Sequence, residues 1–234
     1  MQINRYRYNV GKKMKLVFLS DLHGSKIEPI IKAVDELMPN AVLVGGDFIH
    51  SATEYENGLA LLSLLSKKYP TFVSLGNHER RFKGDLFSLI NESGVTLLDD
   101  RFVEFGGIKL GGLSSPYERK HCRSKAPDLF LPKTEWLKEF ERQEGFKLLL
   151  CHRPEYFERY LKDLQIDLTL SGHAHGGQWR FFGHGVFSPG QGVFPKYTFG
   201  SYFDNRLIVS KGLGNGKWIP RINNPYEIAV IDLE

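Results

Sequence analysis

Aspartate, histidine and asparagine recur in this chain in five places: Asp21-Leu22-His23, Gly46-Asp47, Gly76-Asn77-His78-Glu79, His152, and Gly172-His173-Ala174-His175. Carboxylate, imidazole and amide groups of these kinds bind divalent transition ions. Their number suits two such ions sharing one carboxylate. Paired cations neutralise an anionic ester, orient it, and lower the pKa of a water from about 15.7 towards about 7, which points to metal-dependent hydrolysis with hydroxide as nucleophile.

Taken singly, every one of these runs has a structural reading. Asp-x-His after a strand is an ordinary loop cap or surface pair, Gly-Asp is a turn, and Asn77 is another turn residue. His173 and His175 say more, because alternate residues of an extended segment face one way. Jointly, in this order and after the strands described next, a purely structural reading fails.

Each cluster follows an apolar run: Leu16–Leu19, Ala41–Val44, Phe72–Leu75, Lys147–Leu150 and Asp167–Leu170. Continuous apolar character marks strands buried on both faces. Between the first three, Lys26 to Met38 and Tyr55 to Lys68 carry leucine, isoleucine and alanine at helical spacing, so the expected unit is βαβ. Ligands in such sheets gather beyond the carboxyl ends of the strands, where Asp21, Asp47 and Asn77 all lie. Glycines 45, 46, 76 and 172 let the chain turn sharply there. Further strands are expected at Val95–Leu98, Phe102–Phe105, Ile108–Leu113 and Glu227–Leu233, and a helix at Pro132–Arg142.

The order Asp-x-His, Gly-Asp, Gly-Asn-His-Glu, His, Gly-His-x-His resembles the calcineurin-like metallophosphoesterase superfamily from about Lys15 to His175. The run Gly172–Gln178 and the later Val209-Ser210-Lys211-Gly212-Leu213-Gly214-Asn215 resemble its bacterial branch of YkuE- and YaeI-like phosphodiesterases. The resemblance implies a four-layer αββα sandwich with two mixed β-sheets. Periodicity alone supports an α/β class but not the second sheet. It further implies one metal held by Asp21, His23, Asp47 and His175, and a second held by Asp47, Asn77, His152 and His173, with Asp47 as the bridge. His78 matches the family's non-ligand histidine, which gives a proton or hydrogen bond to the substrate. A role for His78 as a supporting residue or a further ligand stays open.

Arg80 and Arg81 could contact substrate phosphate or be solvated. His50 could face the pocket or end its strand. His121, His184 and Cys122 match nothing in the pattern and are read as non-catalytic. Cys151 reads as a small packed hydrophobe. The basic residues Arg5, Arg7, Lys12, Lys13 and Lys15 read as a solvated edge. Trp179 to Tyr202 is rich in glycine and aromatics, with Pro189 and Pro195 breaking regular structure, and is expected to be a long irregular loop. Such a loop could roof the site, contact lipid, or pack over a sheet edge.

At 234 residues with 41% hydrophobic content, the chain can form a single domain over residues 1–234; no repeat or low-complexity stretch divides it. Two cysteines argue against a disulfide scaffold. No run reaches the roughly 20 apolar residues needed to span a bilayer, and the start lacks a secretory layout. The expected location is cytoplasmic, with membrane association open, which departs from the anchored or exported members of the branch. A net charge of +4 suits an anionic phosphoester substrate and is too mild for sequence-specific nucleic-acid binding.

The expected activity is a dinuclear metal phosphoesterase acting on a phosphodiester or pyrophosphate rather than a monoester. Mixed oxygen and nitrogen ligands suit manganese or iron first, with zinc, cobalt or nickel as alternatives. A nuclease of the same fold, a pyrophosphatase for nucleotide-sugar lipids, and a non-catalytic interaction module compete with it. Oligomeric state is not legible.

Overall fold

The computed structural model describes residues 1–51, 53–82, 84–116, 131–188, 191–215 and 220–234. His121, Cys122 and Pro189 lie outside them. In chain order the elements are β1 (Gln2–Tyr8), β2 (Met14–Leu19), α1 (Glu28–Leu37), β3 (Ala41–Val44), α2 (Glu56–Ser66), β4 (Thr71–Val73), α3 (Leu86–Glu92), β5 (Thr96–Leu97), β6 (Arg101–Phe105) and β7 (Ile108–Leu113). They continue with α4 (Leu137–Glu141), β8 (Lys147–Cys151), β9 (Leu168–Ser171), β10 (Arg180–Phe181), β11 (His184–Gly185), β12 (Phe187–Ser188), β13 (Gly192–Val193), β14 (Gly200–Tyr202), β15 (Leu207–Val209) and β16 (Glu227–Leu233).

Two six-stranded mixed sheets result, ordered β1-β16-β2-β3-β4-β5 and β14-β15-β9-β8-β7-β6. In the first, β2, β3, β4 and β5 run parallel and β16 antiparallel to β2. In the second, β7, β8, β9 and β15 run parallel.

Alternation along each strand explains why the apolar runs are unbroken. Leu16 and Phe18 of β2 face inward with Leu43, Leu148, Leu150, Leu168, Leu170 and Ile231, forming one core between the sheets. Val17 and Leu19 point the other way, onto Ile30, Val34 and Leu37 of α1 and Leu61, Leu62 and Leu65 of α2. On the far side, Leu149, Cys151, Leu207 and Val209 pack under Leu137 and Phe140 of α4 and under Phe157 and Leu161 of a short π-helical turn. Four layers follow from two cores per sheet. Truncating a fully buried residue such as Leu150 to alanine should cost about 2–5 kcal/mol.

The helices are shorter than their periodicity suggests. Pro29 opens α1 and Met38, at φ 46°, ends it. The helix expected over Pro132–Arg142 is confined to Leu137–Glu141, after turns in which Leu137 N–H donates to Thr134 O. Val95–Leu98 supplies only the two-residue β5. Residues 179–202 are not a wholly irregular loop, since they contain the hairpins β10–β11 and β12–β13. Within them Tyr197 is buried while Phe182 and Phe194 stand in solvent.

The apolar pattern gives no sign of strand β1, which lies parallel to β16 and pairs Gln2 with Glu227. Arg5 and Arg7 lie on this edge strand, Arg5 beside Asp232. Among the described residues no helix is long and apolar enough to cross a membrane.

Candidate metal centre

The carboxyl ends of β2, β3, β4, β8 and β9 open onto one edge shared by both sheets. Asp21, Asp47, Asn77, His152 and His173 follow those ends within a few residues. The chain bends sharply to aim them: Asp21, His23, Asp47, His173 and His175 all have left-handed backbones, with φ between 45° and 65°. Each such residue costs on the order of 1 kcal/mol, so five of the seven candidate ligands carry backbone strain.

Two groups form. Asp21, His23 and His175 bring ligand atoms within 4.8 Å of one another, and Asp47, His152 and His173 do the same. His175 Nε2 lies 3.7 Å from Asp21 Oδ1. Asp47 Oδ2 lies 3.2 Å from His152 Nε2 and 3.6 Å from His23 Nε2, so one oxygen faces both groups. Asn77 is buried, its Oδ1 accepting a long 3.5 Å contact from Arg153 Nη2.

The residues fit divalent ions on their own geometry. His23 Nε2, His152 Nε2 and His173 Nε2 are buried without a hydrogen-bond partner, an arrangement that costs free energy unless something ligates them. His152 Nδ1 sits 2.8 Å from Gly45 O. A carbonyl only accepts, so Nδ1 carries the hydrogen and Nε2, facing Asp47, is the nitrogen that would ligate a cation after giving up its own proton.

Burial opposes charge at His152 and Asp47 alike, but their attraction outweighs it. Asp47 is held well below the usual carboxylate range and His152 is pushed up to about 9. Burial holds His23 and His173 well below the usual imidazole range, with Arg153 adding to the effect at His173. Burial, then Arg221, pushes His175 down to about 3.

His78 stands at the mouth. Its Nδ1 is 2.5 Å from His50 O, and its Nε2 is 3.9 Å from Asp47 Oδ2. His23, His50 and His78 form a third cluster of imidazoles, so His50 faces this region and pairs at 3.7 Å with Glu54. Arg80 is tied to Asp99 at 2.5 Å. His184 lies on the β10–β11 hairpin, exposed and opposite Phe181. Cys151 is buried, and burial pushes its thiol up, in keeping with a packed hydrophobe.

Several supporting residues stand outside the ligand set. Glu79 accepts backbone N–H groups from Asp47 (2.8 Å), Ile49 (3.1 Å) and Gly76 (2.7 Å), stitching β3's exit loop to β4's. Burial, then Asp47, pushes its carboxyl up to about 7. Arg221 Nη2 is 3.2 Å from His175 Nδ1, and Asn224 Nδ2 donates to His175 O at 2.7 Å. The Glu79 signal was present in Gly-Asn-His-Glu, whereas Arg221 and Asn224 have no local signature.

A family model described as calcineurin-like phosphoesterase matches residues 14–177. An uncharacterised metallophosphoesterase of Helicobacter pylori (strain J99) is 31% identical over 242 residues, covering 97% of this chain and 62% of its own length. The phosphodiesterase YaeI of Escherichia coli is 26% identical, covering 94% of this chain and 82% of its own. Among solved structures, the Escherichia coli phosphoesterase Yfce aligns over 94% of this chain and 88% of its own at 13% identity and a TM-score of 0.44. The chain thus spans less than two thirds of its Helicobacter relatives.

Proposed function

Because the chain belongs to the calcineurin-like phosphoesterase family, we propose that it is a dinuclear metal-dependent phosphodiesterase. Asp21, His23 and His175 hold one cation, Asn77, His152 and His173 hold the other, and Asp47 is shared. The observation that carries this reading is Asp47 Oδ2, which faces His23 at 3.6 Å and His152 at 3.2 Å.

Bound cations supply charge neutralisation of the phosphoryl oxygens and acidify water. The protein's own groups do the rest. Asp47 Oδ1 accepts the His78 backbone N–H at 2.9 Å, which fixes where the His78 ring begins. His50 O takes the hydrogen on His78 Nδ1, leaving Nε2 to carry or release the mobile proton. Protonated there, His78 gives a hydrogen bond or proton to the departing ester oxygen as the P–O bond breaks and water adds to phosphorus. Manganese or iron is the proposed pair, with zinc, cobalt or nickel able to replace it.

Turnover of bis-p-nitrophenyl phosphate, mononucleotides, cyclic nucleotides and nucleotide-sugar lipids with added Mn²⁺ tests the reaction and its substrate. Full rate in chelator-treated protein would refute it. A second reading, presentation of the ester at a lipid surface, is favoured by Phe182 and Phe194, which are 101% and 81% exposed beside the last ligand turn. Liposome co-sedimentation unchanged by Phe182→Ser and Phe194→Ser removes that version.

A further inference from the structure

Two guanidinium groups stand behind the candidate ligands, and their charges are disposed differently. Arg153, beside Asn77 and His173, lies 3.6 Å from the carboxylate of Glu155. Arg221, beside His175, has no such neighbour. Its Nη2 donates to Gly214 O, its Nε and Nη1 are buried without a hydrogen-bond partner, and its Cζ lies 4.8 Å from the Tyr226 ring centroid. No carboxylate is bonded to any of its nitrogens. Burial lowers Arg221 to about 10, and Asp21 is the strongest of the charges that oppose the shift, so the field of this guanidinium reaches the Asp21 group.

The contact between Arg221 and His175 falls on the ring nitrogen away from the centre. Arg221 Nη2 is 3.2 Å from His175 Nδ1, while His175 Nε2 is 3.7 Å from Asp21 Oδ1. The Gly214 carbonyl that Nη2 reaches also takes a hydrogen from the His175 ring. Nδ1 therefore carries that hydrogen, and Nε2 is the nitrogen left to ligate.

A ligating histidine ordinarily gives its other N–H to a carbonyl or carboxylate, which strengthens the ligating nitrogen as a donor. His152 has that support from Gly45 O at 2.8 Å. His175 shares its carbonyl with a cation, whose charge draws electron density away from Nε2 and repels a second cation across the ring. His23, the other imidazole of this group, has neither ring nitrogen hydrogen-bonded. The Asp21 group thus offers weaker imidazole donors than the group of His152.

Resting on the dinuclear reading above, we propose that Arg221 is a positioning residue that acts through His175 to make the two cation sites unequal, the Asp21-side cation being the loosely held one. Hydrolysis needs both cations, so this site sets the free metal concentration at which the protein becomes active. Orientation of His175 does not depend on Arg221. Asn224 Nδ2 holds His175 O at 2.7 Å, and Gly214 is fixed by the bond from Leu213 N–H to Ser20 O and by its packing on the Leu22 backbone. Removing the guanidinium therefore removes repulsion and leaves the ring in place.

Calorimetric titration of Mn²⁺ into chelator-treated protein should show two steps of different affinity. Electron paramagnetic resonance of the same samples should show isolated Mn²⁺ after the first step and spin-coupled pairs only in the second. His175→Ala should abolish the weaker step and spare the tighter one; loss of the tighter step instead overturns the assignment. Arg221→Met, which keeps the length of the side chain without its charge, should tighten the weaker step about 10- to 100-fold, the range in which outer partners move metal affinity, and leave the tighter step where it was. A residue that merely held the ligand in place would give the opposite sign. Arg221→Gln gives the same reading, without charge, if methionine is not accommodated. Arg221→Lys keeps the charge and should keep the gap.

A weaker step that loosens or stays put in the uncharged variants overturns the proposal, as does a gap that closes in Arg221→Lys. Two equivalents of equal affinity in the unaltered protein leave the dinuclear reading standing and overturn the role of Arg221. A single equivalent in every form refutes the dinuclear reading itself.

Discussion

The backbone N–H of His173 donates to both oxygens of Asp21, at 3.1 and 3.0 Å, across 152 residues of chain. That bond ties the exit of β2 in one sheet to the exit of β9 in the other, at the edge where the candidate ligands meet. The Ser20 hydroxyl and the Asp21 carboxylate are also bonded, so Asp21 is oriented from both sides before any cation arrives.

Asp47→Ala should release both cations, because its Oδ2 is common to the two groups. Elemental analysis of the purified variant should show metal falling from about two equivalents to near none. Retention of one equivalent would mean that the two sites are independent.

His78→Ala should lower turnover about 10²- to 10⁴-fold, the usual contribution of a positioned acid, with metal content unchanged. The same elemental analysis decides between roles: metal loss would make His78 a ligand, consistent with its place in the His23, His50, His78 cluster.

Glu79→Gln should destabilise by roughly 1–3 kcal/mol, since an amide NH₂ replaces an acceptor for one of three buried N–H groups. The denaturant midpoint measures this. Metal affinity should fall with it, because the Ile49 amide, two residues past Asp47, loses its acceptor and loosens the loop that aims Asp47.

Gly212→Ala tests the strained packing at the second sheet's edge. Gly212 has φ +74°, and a Cβ there would come within 2.7 Å of Asp21 Cβ. Gly192 has φ +78° with nothing within 4 Å of its would-be Cβ, so Gly192→Ala carries the backbone cost alone. Both variants should lose about 1 kcal/mol or more of stability, and Gly212→Ala alone should also weaken metal binding.

Chelator-treated protein should be most stable near pH 6.5–7. The folded pKa of His175 is about 3, and those of His23 and His173 are also depressed. Below pH 6.5 the unfolded chain takes up protons that these rings refuse, so stability falls with acidification, by up to about 1.4 kcal/mol per pH unit for each ring. Glu79, raised to about 7, offsets about one of them between pH 7 and 4.5. His152, raised to about 9, works oppositely: its contribution is present below 6.5 and is lost as pH rises through 9. Denaturant titrations at pH 5, 7 and 9 read both arms, and stability still rising from 7 to 9 would contradict the His152–Asp47 pairing.

Sequence by itself determined the candidate ligand set and the local frame. Asp21, Asp47, Asn77, His152 and His173 each follow a strand whose apolar run is visible without a partner, because burial on both faces needs only the residue types along that strand. The α/β class follows from the same local periods. Tertiary structure decided the rest. β1 pairs with β16 across the whole chain, and nothing local in Gln2–Tyr8 names that partner. The segment Val209–Asn215 shows its purpose only in three dimensions: Leu213 N–H donates to Ser20 O at 2.9 Å while Gly212 makes room for Asp21. Arg221 and Asn224 reach His175 by the same long-range closure. The sharing of one Asp47 oxygen between two histidine groups depends on the relative placement of two sheets to within an ångström or so. Side-chain periodicity sets which face a residue takes; only the packed interior sets how far apart two such faces stand.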